Sequence, residues 1–133
     1  MALKVELKSG ERFILGNAVI TNGGGRACLL IEGDTPILRE KNIMRPEATN
    51  TPAKHIYLII QMMYLSTDPA RHHGEYFALT GDLVAAAPST VPFIDRINNL
   101  MLTGSYYKAL REAEALIAHE EEILANAFSS KGL

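Results

Sequence analysis

The hydrophobic pattern of the chain changes its period near residue 40, and this change limits the possible folds more than any other feature. Before it, short runs of β-type residues are separated by glycine-containing turns, and after it apolar residues recur at three- and four-residue steps. Alternation with a period of two is typical of half-buried strands, whereas steps of three and four are typical of amphipathic helices. The sequence therefore predicts an α+β protein whose strands all precede its helices.

Five runs before the change are predicted to be short strands. Residues 3–8 alternate strictly, so Leu3, Val5 and Leu7 should face a core and the charged residues between them should face solvent. The other four runs are residues 12–15, 18–21, 27–31 and 35–40. Short strands at this spacing predict a small five-stranded antiparallel sheet or barrel. Pro36 cannot donate to a strand ladder and should lie at a strand start or an edge.

Glycines 23–25, which follow Asn22, predict a flexible hairpin turn in which glycine supplies positive φ at low cost. They do not predict a phosphate-binding loop, because a strand and not a helix follows them.

Four helices are predicted after the strands. Thr51 and Pro52 give a start signal for the first, which runs to about Leu65 and is apolar on most of its circumference. Such a helix is either central to the core or part of a subunit interface. The second starts at Asp68 and Pro69, and the third and fourth cover residues 91–102 and 105–127. We therefore expect a β part at residues 1–45, a helical part at 51–128 and a frayed tail at 129–133.

Composition and charge define the class of protein. Residues 1–54 hold eight Lys or Arg against six Asp or Glu, whereas residues 55–133 hold five against nine. A nucleic-acid surface would therefore belong to the first part. Cys28 is the only cysteine and is predicted to be a small core residue. The start of the chain does not have the pattern of a secretory leader, and its longest apolar run is shorter than the ~20 residues that span a bilayer. We expect a cytoplasmic protein without membrane contact.

The sequence contains no convincing catalytic or metal-ligating pattern. His72 and His73 are adjacent, so on a helix they diverge and cannot chelate as an i,i+4 pair would. The carboxylates are scattered and Cys28 lacks an activating context. We expect no enzymatic activity, no metal and no cofactor. The acidic run at residues 120–122 is interpreted as a solvated face or as the contact for a basic partner.

Several strings of the sequence closely resemble the FlbT family, the flagellum biosynthesis repressors. They are residues 38–44 (LREKNIM), 51–57 (TPAKHIY), 62–65 (MMYL), 16–20 (GNAVI) and 106–110 (YYKAL). The resemblance implies a post-transcriptional regulator that associates with the 5′ untranslated region of flagellin mRNA and promotes its decay. It also implies a functional link to a FlaF-type protein, and some members of the family regulate positively.

A second resemblance, confined to the first part, is to the CsrA translational repressors. Residues 5–14 resemble their first hairpin, and the string Ile37 to Glu40 resembles their last strand, which supplies the main RNA-contacting arginine. Carried over, this makes Arg39 the leading RNA-binding candidate, with Lys4 and Lys8 as neighbours. Leu7 and Lys8 stand where CsrA proteins have two arginines, and Glu6 lies on the face that should be positive.

Lys41 and Arg45 complete the set of candidate RNA contacts, and no exposed aromatic residue accompanies them in the first part. The alternative for Arg39 is a surface ion pair, for example with Glu6 across strands.

A protein-binding adaptor is the rival function. It would act through the acidic helical part by contacting a FlaF-type protein or flagellin, with Tyr107 and Glu121 as candidate contacts and an indirect effect on RNA. The apolar helix at residues 52–65 and the CsrA-like strands also predict a homodimer.

Overall fold

The computed structural model describes residues 2–131 and confirms the α+β class, with five strands followed by four helices. The strands are β1 (Ala2–Leu7), β2 (Arg12–Leu15), β3 (Ala18–Thr21), β4 (Ala27–Glu32) and β5 (Ile37–Arg39). The helices are α1 (Pro52–Leu65), α2 (His73–Ala86), α3 (Val91–Leu102) and α4 (Tyr106–Lys131). The chain divides into two compact units between residues 43 and 44, so that one unit contains all the strands and the other all the α-helices.

The strands form two open antiparallel sheets and not the single sheet or barrel that the sequence predicted. One sheet pairs β1 with β4, and the other has the order β3-β2-β5. A barrel needs one continuous ladder around all strands, but here the ladder is interrupted because β4 pairs back to β1 while β5 pairs with β2. Pro36 directly precedes β5, an edge strand, as expected from its missing N–H.

The core of the strand unit is formed by Val5, Leu7 and Phe13, with partly buried aliphatic residues packed around them: Leu15, Ile20, Leu29, Ile31 and Ile37. Leu3 was predicted to face the core but is half exposed. The prediction that Cys28 is a core residue is wrong. The strand β4 alternates, and its register places Cys28 opposite Glu6 on the outward face, where Cys28 is exposed.

The glycine turn after Asn22 is organised by that side chain. The Asn22 amide donates to the carbonyl oxygens of Lys8 at 3.0 Å and Gly25 at 2.9 Å, and its oxygen accepts from the Gly24 N–H. The predicted positive φ at glycines 23–25 is not present. The strand-unit glycines with positive φ are instead Gly10, Gly16 and Gly33. At Gly16 a Cβ would also lie 2.8 Å from the Thr35 methyl group, so glycine is needed there.

The helical unit begins with the predicted signals at α1. The Thr51 side chain accepts from the Lys54 N–H at 3.3 Å, and Pro52 occupies the first turn. Most of the apolar surface of α1 is buried in the core, with Ile56, Ile60 and Met63 nearly inaccessible. The second helical segment starts with a 3-10 turn at Pro69–His72 before α2, and the residue predicted to cap it makes no side-chain cap bond.

The first and third helices have the predicted bounds, whereas α4 extends four residues past the predicted end at 127. Of the predicted tail, residues 132 and 133 lie outside the described part of the chain.

Two buried polar side chains fix the segment that leads into α1. Gln61, which interrupts the longest apolar run, accepts from the Met44 N–H at 2.7 Å and donates to the Met44 carbonyl at 3.1 Å. Glu120 of α4 accepts from the Ala53 N–H in the first turn of α1 at 2.9 Å and is 6% exposed. A carboxylate at a helix N-terminus is favourable because the first N–H groups have no intrahelical acceptor. The interpretation of the whole acidic run as a solvated face is therefore wrong at Glu120.

We predict that Glu120→Ala lowers the free energy of unfolding by about 2 kcal/mol, because it removes the acceptor from a buried N–H. Glu121→Ala, which removes an exposed carboxylate one residue along α4, should change it by less than about 0.5 kcal/mol. Urea unfolding followed by circular dichroism measures both. Equal effects of the two substitutions would contradict the role assigned to the Ala53 contact.

Because the phenol of Tyr57 in α1 is buried, the free energy of unfolding depends on pH in the alkaline range. Burial, and then the negative charge of Glu114 and the neighbouring Tyr107, raise the pKa of Tyr57 to about 12, against the opposing effect of Arg111. Burial raises the pKa of Tyr76 in α2 as well. Both phenols are therefore protonated in the folded chain at a pH where unfolded tyrosine begins to ionise.

We predict that the free energy of unfolding falls as the pH rises from 10 to 12. An unfolded phenol ionises near pH 10 whereas folded Tyr57 ionises at about 12, so deprotonation in this window favours the unfolded chain. Tyr57→Phe should reduce the slope without abolishing it, because Tyr76 still contributes. Urea unfolding at a series of pH values tests this, and an unchanged slope in the variant would count against it.

Candidate nucleic-acid interface

The strand unit carries a cleft with a volume of about 400 Å³, which we call the Arg39 cleft. Its lining combines four cations and two carboxylates with one apolar residue: Lys4, Lys8, Arg26 and Arg39, Glu6 and Glu11, and Leu7. The first strand supplies Lys4, Glu6 and Leu7, the turn after it supplies Lys8 and Glu11, and Arg39 comes from β5. The cleft therefore combines residues that lie more than thirty positions apart in the sequence.

Arg39 occupies the inner face of the three-stranded sheet. The register pairs Arg39 with Phe13, a buried core residue, so its aliphatic stem starts beside the core. Its Nε is buried and has no hydrogen-bond partner among the described residues. The guanidinium reaches the cleft, where Nη2 donates to the Glu6 carbonyl at 2.9 Å and lies 3.7 Å from the Glu11 carboxylate. A long basic side chain commonly buries its stem in this way while its charge stays near water.

The two carboxylates of the cleft are both engaged with its cations. One Glu11 oxygen accepts from the Lys8 N–H at 2.9 Å, and the other is the oxygen that faces Arg39. The Glu6 carboxylate lies 3.5 Å from the Lys4 ammonium. The predicted alternative for Arg39, a surface ion pair, is present with Glu11 and not with Glu6, the residue given as an example, because Arg39 contacts the side chain of Glu11 and only the main chain of Glu6.

The cations of the cleft differ in exposure. The Lys4 side chain is 64% exposed and that of Arg39 is 39% exposed, and Lys8 and Arg26 are also exposed. Exposed ammonium groups suit sequence-independent contact with phosphates, whereas a half-buried guanidinium fixed by a carbonyl suits directional contact.

Three of the five predicted RNA contacts, Lys4, Lys8 and Arg39, lie together in the cleft. Lys41 does not line it and lies exposed on the 3-10 turn Glu40–Asn42, and Arg45 belongs to the helical unit.

Two residues of the cleft, Arg26 and Glu11, were not predicted from the sequence. Arg26 immediately precedes β4, whose antiparallel pairing with β1 places residue 27 opposite Leu7. Knowledge of this pairing would have placed Arg26 near the predicted lysines. Strand pairing is a long-range property, however, and local sequence patterns do not show it. Glu11 could have been suspected from its position in the turn between β1 and β2, next to the predicted lysines.

The two predicted partner contacts lie on α4. Tyr107 is 42% exposed and its ring lies 6.0 Å from that of Tyr64 of α1. Glu121 is exposed about 21 Å further along the helix, at 1.5 Å per residue. On α1, the apolar residue Met62 is also exposed. Tyr107 and Glu121 are therefore accessible, but they do not form one compact cluster.

Within residues 2–131, three or more His, Cys, Asp or Glu side chains do not gather at any point where they could hold a metal ion. In the same part of the chain, every helix is too short or too polar to span a bilayer.

These features define a small α+β protein with a mixed-charge cleft on its strand unit and a separate helical unit. A family model described as "Flagellar protein FlbT" matches residues 3–124. The chain belongs to the FlbT family, which confirms the resemblance drawn from the sequence strings.

Similar proteins carry the same family name. The chain is 56% identical over 124 residues to the probable flagellum biosynthesis repressor protein FlbT 1 of Bradyrhizobium diazoefficiens, covering 92% of this chain and 85% of that one. It is 48% identical to a probable FlbT repressor of Rhodopseudomonas palustris, covering 94% and 99%. It is 38% identical to the flagellum biosynthesis repressor protein FlbT of Caulobacter vibrioides, covering 97% and 94%. No solved structure matches the chain.

Proposed function

We propose that this protein is a post-transcriptional regulator of flagellum biogenesis that binds the 5′ leader of flagellin mRNA in the Arg39 cleft and promotes decay of the message. Its relatives are named flagellum biosynthesis repressors, which supports a regulatory role in flagellar synthesis. The observation that carries the RNA-binding part is the gathering of Lys4, Lys8, Arg26 and Arg39 around one concavity.

The charges of the cleft agree with a single-stranded ligand. Four cations face two carboxylates in a chain whose net charge is -2, so the positive charge is local. The three exposed cations can neutralise phosphates, and Arg39 can donate to a base edge from a fixed position. Sequence-specific recognition of RNA usually targets unpaired bases, because their edges are accessible only outside a duplex.

We predict that Arg39→Ala weakens binding to a flagellin 5′ leader by about 5- to 150-fold, which corresponds to the loss of one directional base contact. The Lys4→Gln, Lys8→Gln double variant should reduce the salt dependence of log K by about 1.4, because each phosphate contact on a single strand contributes about 0.7. Fluorescence anisotropy with labelled leader RNA across a salt series measures both effects.

Arg12→Ala is the matched control. Arg12 is an arginine of the same unit with a 48% exposed side chain, and it lies outside the cleft in an ion pair with Glu40. This substitution should leave RNA affinity within about twofold. The double lysine variant keeps the test valid if Arg39→Ala does not fold, because both lysines are exposed.

A protein-binding adaptor is the second candidate, supported by the exposed residues Tyr107 and Met62 of the helical unit. It would bind a FlaF-type protein or flagellin and affect RNA only indirectly. Absence of leader binding by the wild-type protein alone, together with tight partner binding that Tyr107→Ala or Glu121→Ala weakens, would favour the adaptor over the regulator that binds RNA directly.

The predicted homodimer remains a proposal, supported by strand edges and no longer by α1, whose apolar residues are mostly buried in the core of the helical unit. The sheet of β1 and β4 has only two strands in the described chain, and such a sheet is marginal alone. Its unpaired edges can accept a strand from another chain.

We predict that the protein has the mass of two chains in multi-angle light scattering at tens of micromolar. Leu3→Lys, at a half-exposed residue of β1, should shift the mass toward one chain because a charge disfavours edge-to-edge pairing. Val19→Lys, at a 65% exposed residue of β3 in the other sheet, is the control. A wild-type mass of one chain would exclude the dimer.

A further inference from the structure

The Arg39 cleft contains acceptors of hydrogen bonds as well as cations, and this combination restricts its ligand. Glu6 and Glu11 both line it, and their carboxylates lie 3.5 Å from the Lys4 ammonium and 3.7 Å from the Arg39 guanidinium. One Glu11 oxygen faces the Arg39 guanidinium at 3.7 Å, so any anion that approaches Arg39 also approaches Glu11. A site selected only for phosphate would not keep two carboxylates beside its cations, because like charges repel.

A base edge with both acceptors and donors fits this lining better than a phosphate does. A phosphate offers only acceptors, whereas cytosine and adenine each present a ring-nitrogen acceptor next to an exocyclic amine. An ionised carboxylate is purely an acceptor, with up to about four lone-pair positions on its two oxygens. Glu11 uses one of these for the Lys8 N–H and makes only a long contact with Arg39, so it can still accept a strong bond.

We propose that the cleft binds one unpaired base with an exocyclic amine, and that Glu11 accepts from this amine while Arg39 donates to the adjacent acceptor. This inference rests on the proposed RNA-binding function and specifies what the site reads. Glu11 is then the residue that determines specificity, and the exposed lysines Lys4 and Lys8 supply the phosphate contacts. The volume of about 400 Å³ lies within the range of small-ligand sites.

The position of Arg39 supports a directional contact. The Glu6 carbonyl accepts from Nη2 at 2.9 Å, and Arg39 pairs with the buried Phe13 in the strand register, so the guanidinium is anchored at one nitrogen near the core and is not a freely moving surface charge. The buried Nε without a partner among the described residues marks the inner end of this group, next to the core. A guanidinium fixed in this way can discriminate between ligands because it cannot adjust to the wrong one.

Cytosine and uracil provide the sharpest test because they differ at C4 and N3 only. Cytosine carries an amine at C4 beside the N3 acceptor, whereas uracil has a carbonyl at C4 and an N3–H between two carbonyl groups. A carboxylate placed for the cytosine amine would face the O4 atom of uracil, and the two acceptors would repel each other. Stacking differs between C8 and U8 RNA, but it is the same for every variant of the protein, so the change in the ratio on substitution does not depend on it.

The experiment measures the affinity of the full-length protein for eight-nucleotide C8 and U8 RNA by fluorescence anisotropy at one ionic strength. We expect the wild type to bind C8 about tenfold more tightly than U8, the discrimination of one good base contact. Glu11→Gln should reduce the ratio and raise the affinity for U8, because the glutamine amide can donate to O4, while Arg39 still faces the N3–H of uracil and keeps part of the preference for C8. The amide oxygen of the substituted side chain can still accept from the Lys8 N–H, so the turn is retained.

Glu32→Gln is the matched control, since it removes the same charge from an exposed position at the end of β4 that does not line the cleft. It should leave the ratio of C8 to U8 affinity unchanged. If it lowers the ratio as much as Glu11→Gln does, the effect is one of net charge and the assignment of Glu11 is wrong.

The other outcomes separate this inference from the function on which it rests. Salt-dependent wild-type binding of C8 and U8 with equal affinity would overturn base reading by Glu11 and leave RNA binding in the cleft intact. A ratio that is as large in Glu11→Gln as in the wild type would also overturn the inference. No wild-type binding of C8, U8 or the flagellin leader would overturn the proposed function and the inference together.

Discussion

The position of Arg39 on the inner face of its sheet is the constraint on which the cleft depends. Strand alternation puts Ile37 and Arg39 on the same side of β5, and the register places Arg39 opposite the buried Phe13. A charged group that starts beside a core must find partners or reach solvent, because burying it unpaired costs several kcal/mol. The contacts of Arg39 with the Glu6 carbonyl and the Glu11 carboxylate meet this requirement. The same contacts hold the first turn and the last strand around a common concavity.

Long polar side chains have a comparable role in the helical unit. Gln61 holds both main-chain groups of Met44, and Glu120 accepts from the Ala53 N–H, so two buried side chains fix the segment between these residues at both of its ends. Hydrophobic contacts alone would not specify this path, because they are non-directional. A hydrogen bond to a particular main-chain atom does specify it, and it leaves a costly unpaired group if the segment shifts. The amide of Gln61 therefore explains why the longest apolar run of the sequence contains one polar residue.

Local pattern and long-range pairing explain which features the sequence could predict. The bounds of β2, β3, α1 and α3 follow from periodicity and caps, which act over a few residues. The failures at Cys28 and Glu120 arise because burial there depends on which sheet face is covered and on how α4 packs beside the start of α1. The residues of the cleft show the same distinction between local and long-range information. Strand alternation and family resemblance indicated its lysines and Arg39, whereas Arg26 joins them only through the pairing of β1 with β4.

On the proposed function, a mixed-charge cleft has a physical advantage, because such a regulator must distinguish one transcript from many. A purely basic groove gains most of its affinity from phosphates, which every RNA carries, so its binding is strong but unselective. Carboxylates beside the cations lower this general attraction and penalise ligands that present acceptors where donors are needed. The net charge of -2 on the whole chain acts in the same direction by opposing distant RNA. On the proposed function, Glu6 and Glu11 therefore lower affinity for all RNA while raising selectivity, and the departure from the CsrA pattern at Glu6 is part of the recognition site.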